Sequence, residues 1–212
     1  MVVHVWERAM EADIGPVVVA CADASIAEAV EQFGGRCVMT GSHHVSGSDR
    51  IGEALEKVDP QGNFDKIVNL QADFPTINPS DLSAAVAVLD NPQVDIGSLV
   101  ALARPEELGN PNVIKVAVGF GDGDSIGRAL YFSRSPIPGT PGPIYHHIGL
   151  YAYQRAALLR FIGLPPSRLE QREKLEQLRA LEAGMRIDVI LVDRLPIGVD
   201  TPDDLARVIR RL

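Results

Sequence analysis

Lys66-Ile67-Val68-Asn69-Leu70-Gln71-Ala72-Asp73-Phe74-Pro75 begins as a short apolar run rich in β-branched residues, the pattern of a buried strand. Pro75 has no amide hydrogen to give to a ladder, so pairing stops there. An acid at the carboxyl end of such a strand lies where open α/β sheets hold their ligands. A carboxylate there suits a hard cation such as Mg2+, and a nucleotide's phosphates can supply further ligands. Asp73 serves equally well as a turn residue or a helix cap, and the segment alone leaves both uses open.

Upstream, Val2, Val5, Trp6 and Ala9 recur at helical spacing, which predicts a helix over residues 2–10. Pro16 to Cys21 reads as a buried strand. Ser25 to Glu28 forms a capping box, and Ile26, Val30 and Phe33 make the apolar stripe behind it. Gly34-Gly35 ends that helix, and Arg36 to Met39 returns as a strand, completing a βαβ unit. Gly41 to Arg50 is polar and short of bulky groups, and leads into Ile51, Leu55 and Val58 at helical spacing. Small residues before a helix let backbone amides approach an anion. The chain has no Gly-Lys pair, so this is no Walker A loop, and a plain capped loop is the simpler expectation.

Downstream, Asn78-Pro79 is an N-cap with proline at the first helical position, and Leu82, Val86 and Leu89 point that helix inward. Ile96 to Ala103 and Val113 to Val118 are strands. The glycines of Gly119 to Gly127 are out of register for a dinucleotide loop and mark a hairpin leading to a strand at Arg128 to Phe132. Residues 133–143 are a Pro/Gly-rich excursion. Tyr145 to Tyr153 is a strand with His147, Gly149, Tyr151 and Tyr153 on one face and His146 on the other, followed by a helix at Gln154 to Ile162. Adjacent side chains of a strand diverge, so His43-His44 and His146-His147 are expected to be poor zinc chelates. Ser167 to Leu181 reads as one long amphipathic helix with Leu175, Leu178 and Leu181 inward, closed by Gly184. Its Glu173, Glu176 and Gln177 make either a solvated face or part of a groove. After a strand at Ile187 to Val192, Thr201-Pro202 opens a last helix whose dipole explains Asp203 and Asp204. Asp200 has no such reason and is the second acid singled out.

The 212 residues are 46% hydrophobic and 23% charged, enough to bury a full core as a single domain. Twenty basic residues stand against 28 acidic, a net charge of −8, which argues against a nucleic-acid partner. It does not exclude a nucleotide substrate. Cys21 and Cys37 make no redox or metal-ligand spacing and are expected to be reduced. There is neither a membrane-length apolar run nor a signal-peptide pattern, so no membrane partner and a cytoplasmic location are expected. The alternation of strand and helix predicts an α/β fold with a doubly wound, mostly parallel sheet and an antiparallel appendage.

Six ordered blocks then carry a resemblance: Ser46-Gly-Ser-Asp-Arg50, Asn69-Leu-Gln-Ala-Asp73, Tyr131-Phe-Ser-Arg134, His146-His-Ile-Gly-Leu-Tyr151, Leu175-Glu-Gln-Leu-Arg179 and Gly198-Val-Asp-Thr-Pro202. Together, over essentially the whole chain, they resemble the 3-deoxy-manno-octulosonate (Kdo) cytidylyltransferases, which transfer CMP from CTP to Kdo for lipopolysaccharide assembly. The resemblance implies a nucleotide-diphospho-sugar transferase-like sheet with an inserted dimerisation region, at about residues 113–153, and a homodimer. It implies Mg2+ on Asp73 and Asp200, the catalytic pair. Ser46, Gly47, Arg50 and Gln71 would take the nucleotide, and Arg134, His147, Tyr151, Glu176 and Gln177 would take Kdo. Ala72 stands where many relatives have glycine. The family opens with a strand and a Gly/Arg/Lys-containing loop around the triphosphate, and Met1 aligns after both, so this chain is expected to lack them. Two other expectations stay open: transfer to a related sugar acid such as a sialic acid, and a catalytically silent binding or dimerisation partner.

Overall fold

The parallel pair that opens the chain forms where expected, but from shorter strands. In the computed structural model, which describes residues 1–44, 46–139, 141–199 and 201–210, β1 is Val19–Cys21 and β2 is Cys37–Met39, paired in parallel. Between them α2 (Ala24–Glu31) is capped by Asp23, whose carboxylate accepts from the Ser25 amide. The cap is therefore two residues earlier than the Ser25 box. Its buried side chains are Ala27 and Val30, while Ile26 and Phe33 are exposed. The first helix is real: α1 (Val2–Glu11) buries Val5 and Ala9. Gly35 packs so closely that a Cβ there would lie 2.4 Å from Val30 and 3.1 Å from the Trp6 ring. Helix α3 (Gly47–Val58) starts at Ser46, whose hydroxyl accepts from the Asp49 amide.

The chain forms two compact units. The first holds Met1–Asp65, Asn69–Ser83 and Pro196–Leu212; the second holds Lys66–Val68 and Ala84–Leu195, including all of residues 113–153. The decisive stretch makes a shorter strand than expected, β3 (Lys66–Asn69), in which only Asn69 is fully buried. The helix after Asn78, α4 (Pro79–Ala87), follows as expected.

Five further strands are β4 (Ile96–Leu102), β5 (Lys115–Phe120), β6 (Ile126–Ser133), β7 (Tyr145–Gln154) and β8 (Ile187–Leu191). Their order with β3 is β3-β7-β4-β8-β6-β5, and β5 also pairs β7, so β7, β4, β8, β6 and β5 close into a ring. The α/β class holds, but this sheet is mixed. β4–β8 is parallel, whereas β4–β7, β5–β6, β5–β7 and β6–β8 are antiparallel. Parallel neighbours need a crossover, usually a helix. Among the described residues no α-helix lies between β4 and β7, and β5 turns directly into β6 through the expected hairpin.

The largest correction concerns residues 167–181. The single helix is broken into α6 (Arg168–Glu173) and α7 (Gln177–Glu182), with Lys174 left-handed at φ 58° and ψ 45°. Helix α5 (Arg155–Ile162) precedes them, and α8 (Pro202–Ile209) ends the described chain with the Thr201 cap foreseen. The core of the second unit is Leu99, Phe132, Ile148, Leu150, Leu158, Leu178 and Ile187, each at most 1% exposed.

Gly97 on β4 sets how near Ala85 and Val88 come, since a Cβ there would lie 2.4 Å from the Ala85 carbonyl oxygen and 3.0 Å from Val88 Cβ. Gly97→Ala is expected to lower the unfolding free energy by about 1–3 kcal/mol, the usual cost of overpacking. Urea titration checks this, and an unchanged midpoint would refute so close a contact.

Candidate functional site

The first unit gathers the expected nucleotide residues at the carboxyl ends of β1 and β2. Past β2, the buried Thr40 hydroxyl donates to the Cys21 carbonyl oxygen (3.2 Å) and accepts from Arg50 Nη1 (2.6 Å). Arg50 Nη1 also reaches the Gly41 carbonyl oxygen at 3.2 Å. The strand ends thus aim the guanidinium. Gly47 lies against Gln71: a Cβ at 47 would fall 2.8 Å from Gln71 Nε2, so a larger residue would displace that amide. Gln71 in turn donates to Asn69 Oδ1 at 2.9 Å. Ser46, Gly47 and Gln71 are therefore brought together, with Arg50 one helical turn further along α3.

Asp73 lies in a turn beyond β3, not on the strand itself. Its backbone carbonyl oxygen accepts from the Val199 amide at 2.9 Å, and Thr76 Oγ1 accepts from the Ile197 amide at 2.8 Å. The segment leading to residue 199 is thereby fastened to the Asp73 turn. Asp200 lies outside the described residues. A hard carboxylate oxygen in this turn is the donor type Mg2+ requires, so the residue fits that ion.

The expected sugar-acid residues belong to the second unit. The antiparallel pairing of β4 and β7 carries a bulge: Ser98 pairs Tyr151 while Leu99 pairs Ile148. Ser98 Oγ donates to the Leu150 carbonyl oxygen at 2.7 Å and lies 2.9 Å from His147 Nε2. A hydroxyl has one hydrogen to give, so His147 must donate from Nε2, leaving Nδ1 as an acceptor. Burial holds the His147 pKa down to about 3, with the neighbouring His146 adding to the effect. His147, Tyr151 and Tyr153 share the face the alternation predicts, with ring centroids 5.4 and 6.1 Å apart. Burial, then the charge of Glu176, raises the Tyr151 pKa well above its ordinary value, so its phenol remains a donor.

Arg134 sits at the end of β6 on the break between α6 and α7. Its Nε donates to the Glu173 carbonyl oxygen (2.8 Å), Nη2 to that of Lys174 (3.3 Å) and Nη1 to that of Pro111 (2.9 Å). Two of these bonds give partners to carbonyls at the end of α6, where Lys174 turns left-handed. The Glu173 carboxylate accepts from Tyr131 Oη and Ser133 Oγ, both at 3.3 Å, and from the Arg134 amide at 3.2 Å. Beneath it the fully buried Lys115 donates to the carbonyl oxygens of Asn110 (2.6 Å) and Arg134 (3.0 Å). Burial lowers the Lys115 pKa. Glu176 and the buried Gln177 lie where α7 begins.

A family model described as cytidylyltransferase matches residues 1–187. A 3-deoxy-manno-octulosonate cytidylyltransferase of Paramagnetospirillum magneticum is 56% identical over 208 residues, 98% of this chain and 85% of that protein. The chain belongs to the 3-deoxy-manno-octulosonate cytidylyltransferase family. Proteins of the same name from Methylorubrum extorquens (58%; 100% of this chain, 88% of the other) and Rhodopseudomonas palustris (60%; 97% and 84%) agree. Among solved structures, a CMP:2-keto-3-deoxy-manno-octonic acid synthetase complexed with CTP matches with a TM-score of 0.88 at 37% identity, covering 99% of this chain and 87% of that one. A UDP-glucose pyrophosphorylase complexed with UDP-glucose, 11% identical with a TM-score of 0.66 over 99% of this chain and 85% of its own, shares the fold.

For this cytidylyltransferase-family chain, sequence reasoning missed Thr40, Asn69, Ser98, Lys115 and Glu173 as supports of the expected residues. Ser98 had a signal, a lone hydroxyl inside the apolar run Ile96-Gly-Ser-Leu-Val-Ala-Leu102. Lys115 had one too, a cation inside the apolar run Val113-Ile-Lys-Val-Ala-Val118. Glu173 was legible only as part of a charged face or groove with Glu176 and Gln177, because on an unbroken helix it is one charge among several.

Glu173→Ala would leave three donors without their acceptor and is expected to destabilise the protein by about 1–3 kcal/mol. Equal denaturation midpoints for variant and wild type would remove Glu173 from its supporting place. The depressed His147 pKa also fixes a sign. The unfolded state binds the proton first, so His147 contributes stability that is present above pH 6.5 and is lost between 6.5 and about 3. The slope approaches about 1.4 kcal/mol per pH unit for one such group. His147→Gln should flatten that part of the pH–stability curve; an unchanged curve would refute the neutral buried imidazole.

Proposed function

We propose that this chain catalyses CTP-dependent activation of Kdo, giving CMP-Kdo and pyrophosphate for lipopolysaccharide synthesis. The observation that carries it is the near-full-length identity with relatives of that name, joined to a similar solved structure that holds CTP. In the reaction the anomeric hydroxyl oxygen attacks the α-phosphorus, the bond to the β-phosphate oxygen breaks, and pyrophosphate leaves with the hydroxyl proton released.

The nucleotide side falls to Ser46, Gly47, Arg50 and Gln71. Gly47 lets the base or ribose approach backbone and the Gln71 amide, and Arg50, aimed by Thr40, supplies a fixed positive charge. Asp73 and Asp200 are the carboxylates proposed to hold Mg2+, which when bound supplies Lewis-acid polarisation of the phosphate and offsets charge on the leaving group. The sugar acid falls to the second unit. His147 offers a neutral acceptor at Nδ1, Tyr151 a phenolic donor, and Glu176 and Gln177 acceptors and an amide for a polyhydroxylated chain. Arg134 keeps part of its donor set beyond the three backbone bonds, and paired N–H groups suit a carboxylate. Homodimerisation through residues 113–153 belongs to the same proposal, supported by Leu130 of β6 standing 59% exposed. Among the described residues no helix is long and apolar enough to cross a membrane, which supports a cytoplasmic location.

The test is pyrophosphate release from CTP, Kdo and Mg2+. Wild type should respond to all three, and Asp73→Asn should lower turnover by about a thousandfold, matching several kcal/mol of lost electrostatic stabilisation, with the fold intact by circular dichroism. Wild-type-like turnover in Asp73→Asn would overturn the metal assignment. Equal release with a sialic acid in place of Kdo would move the substrate to that class.

A further inference from the structure

The expectation that His43 and His44 diverge rests on strand geometry, and the structure places His43 in a turn instead, with His44 directly after it. Their rings lie 4.5 Å apart at a 36° tilt. One ligand atom from each of His43, His44 and Glu53 falls within 4.8 Å of the others. His44 Nε2 faces Glu53 Oε2 directly, with side-chain exposures of 12% and 24%. We propose that His43, His44 and Glu53 form a binding site for a transition-metal ion of the zinc type, distinct from the carboxylate site for Mg2+.

Several features build this site rather than merely cluster it. Gly41 has no side chain, and a Cβ there would fall 2.2 Å from the His43 ring, so the glycine admits the imidazole against the backbone. Glu53 is held from three sides: Oε2 accepts from the Gly41 amide at 2.9 Å, Oε1 from Lys57 Nζ at 2.6 Å, and His44 approaches Oε2. Lys57 thereby leaves Oε2 as the single oxygen turned to the histidines. These contacts hold the Glu53 pKa at about 2, Lys57 contributing most, so the carboxylate is ionised at neutral pH. Two imidazole nitrogens and one carboxylate oxygen with a coordination position left for water is the ligand set of open zinc sites. Nitrogen ligands favour zinc, copper or nickel and disfavour Mg2+. Hydrogen bonds to a ligating carboxylate are the outer support that such sites use. The ion would cross-link the turn at 43–44 to helix α3. The Gly41 peptide continues that link, since its amide donates to Glu53 and its carbonyl oxygen accepts from Arg50.

The test is titration of chelator-treated full-length protein with ZnCl2, followed by calorimetry and by competition with a chromophoric chelator, in buffer containing excess Mg2+. One zinc per chain is expected to bind. His44→Ala and Glu53→Gln should each weaken it by at least about 10- to 100-fold, the range seen even for outer-shell changes. His43→Ala, at an exposed side chain, should do the same and serves if the Glu53 variant fails to fold. His4→Ala and Asp73→Asn should bind zinc as wild type does. Zinc should also raise the melting temperature of wild type and leave that of His44→Ala unmoved. Zinc affinity unaffected by the His43 and His44 changes, displacement by Mg2+, or loss in Asp73→Asn would each overturn the proposal and leave His44–Glu53 as a plain ion pair.

Discussion

A carboxylate drawn in from solvent must find donors, and Glu173 finds three on one strand end: Tyr131, Ser133 and the amide of Arg134. That requirement organises much of the second unit. It ties the end of β6 to the end of α6, and Arg134 completes the tie by taking the carbonyls of Glu173 and Lys174. Lys174 turns left-handed at this junction, and the next helix starts at Gln177. The interruption places Glu176 and Gln177 at a helix start, where their side chains are not committed to a regular solvated face. Lys115, buried below, bonds the Arg134 carbonyl oxygen and fixes the same junction from β5. The arginine proposed to meet a carboxylate is therefore immobilised before any ligand arrives, which reduces the ordering cost of binding.

A second constraint is the bulge in β7. At the bulge, Ser98 on the neighbouring strand donates its hydroxyl to the Leu150 carbonyl oxygen. The same hydroxyl orients His147. Bulges beside active sites commonly re-aim a side chain, and here the bulge fixes an imidazole tautomer as well. In the first unit, Thr40 plays the comparable part, linking the end of β1 to Arg50 through one hydroxyl. Arg50 and His147 are thus each backed by a hydroxyl residue that carries no charge.

The sequence by itself determined the order of elements, because hydrophobic periodicity and caps are local. The βαβ opening, the Asn78 and Thr201 helix starts and the hairpin at Gly119–Gly127 follow from residues within a few positions of one another. It also determined the shared face of His147, Tyr151 and Tyr153, since strand alternation is a local rule. Family motifs supplied the candidate residues. Only the tertiary structure decided the mixed strand directions, the ring closed by β5 and β7, the break at Lys174, the bulge at Ser98 and the convergence of His43, His44 and Glu53. These rest on partners far apart in the chain, such as Arg134 with Glu173 or Ser98 with Leu150. Local propensity contains no information about which distant carbonyl a guanidinium will take. That is settled when buried polar groups must be satisfied all at once.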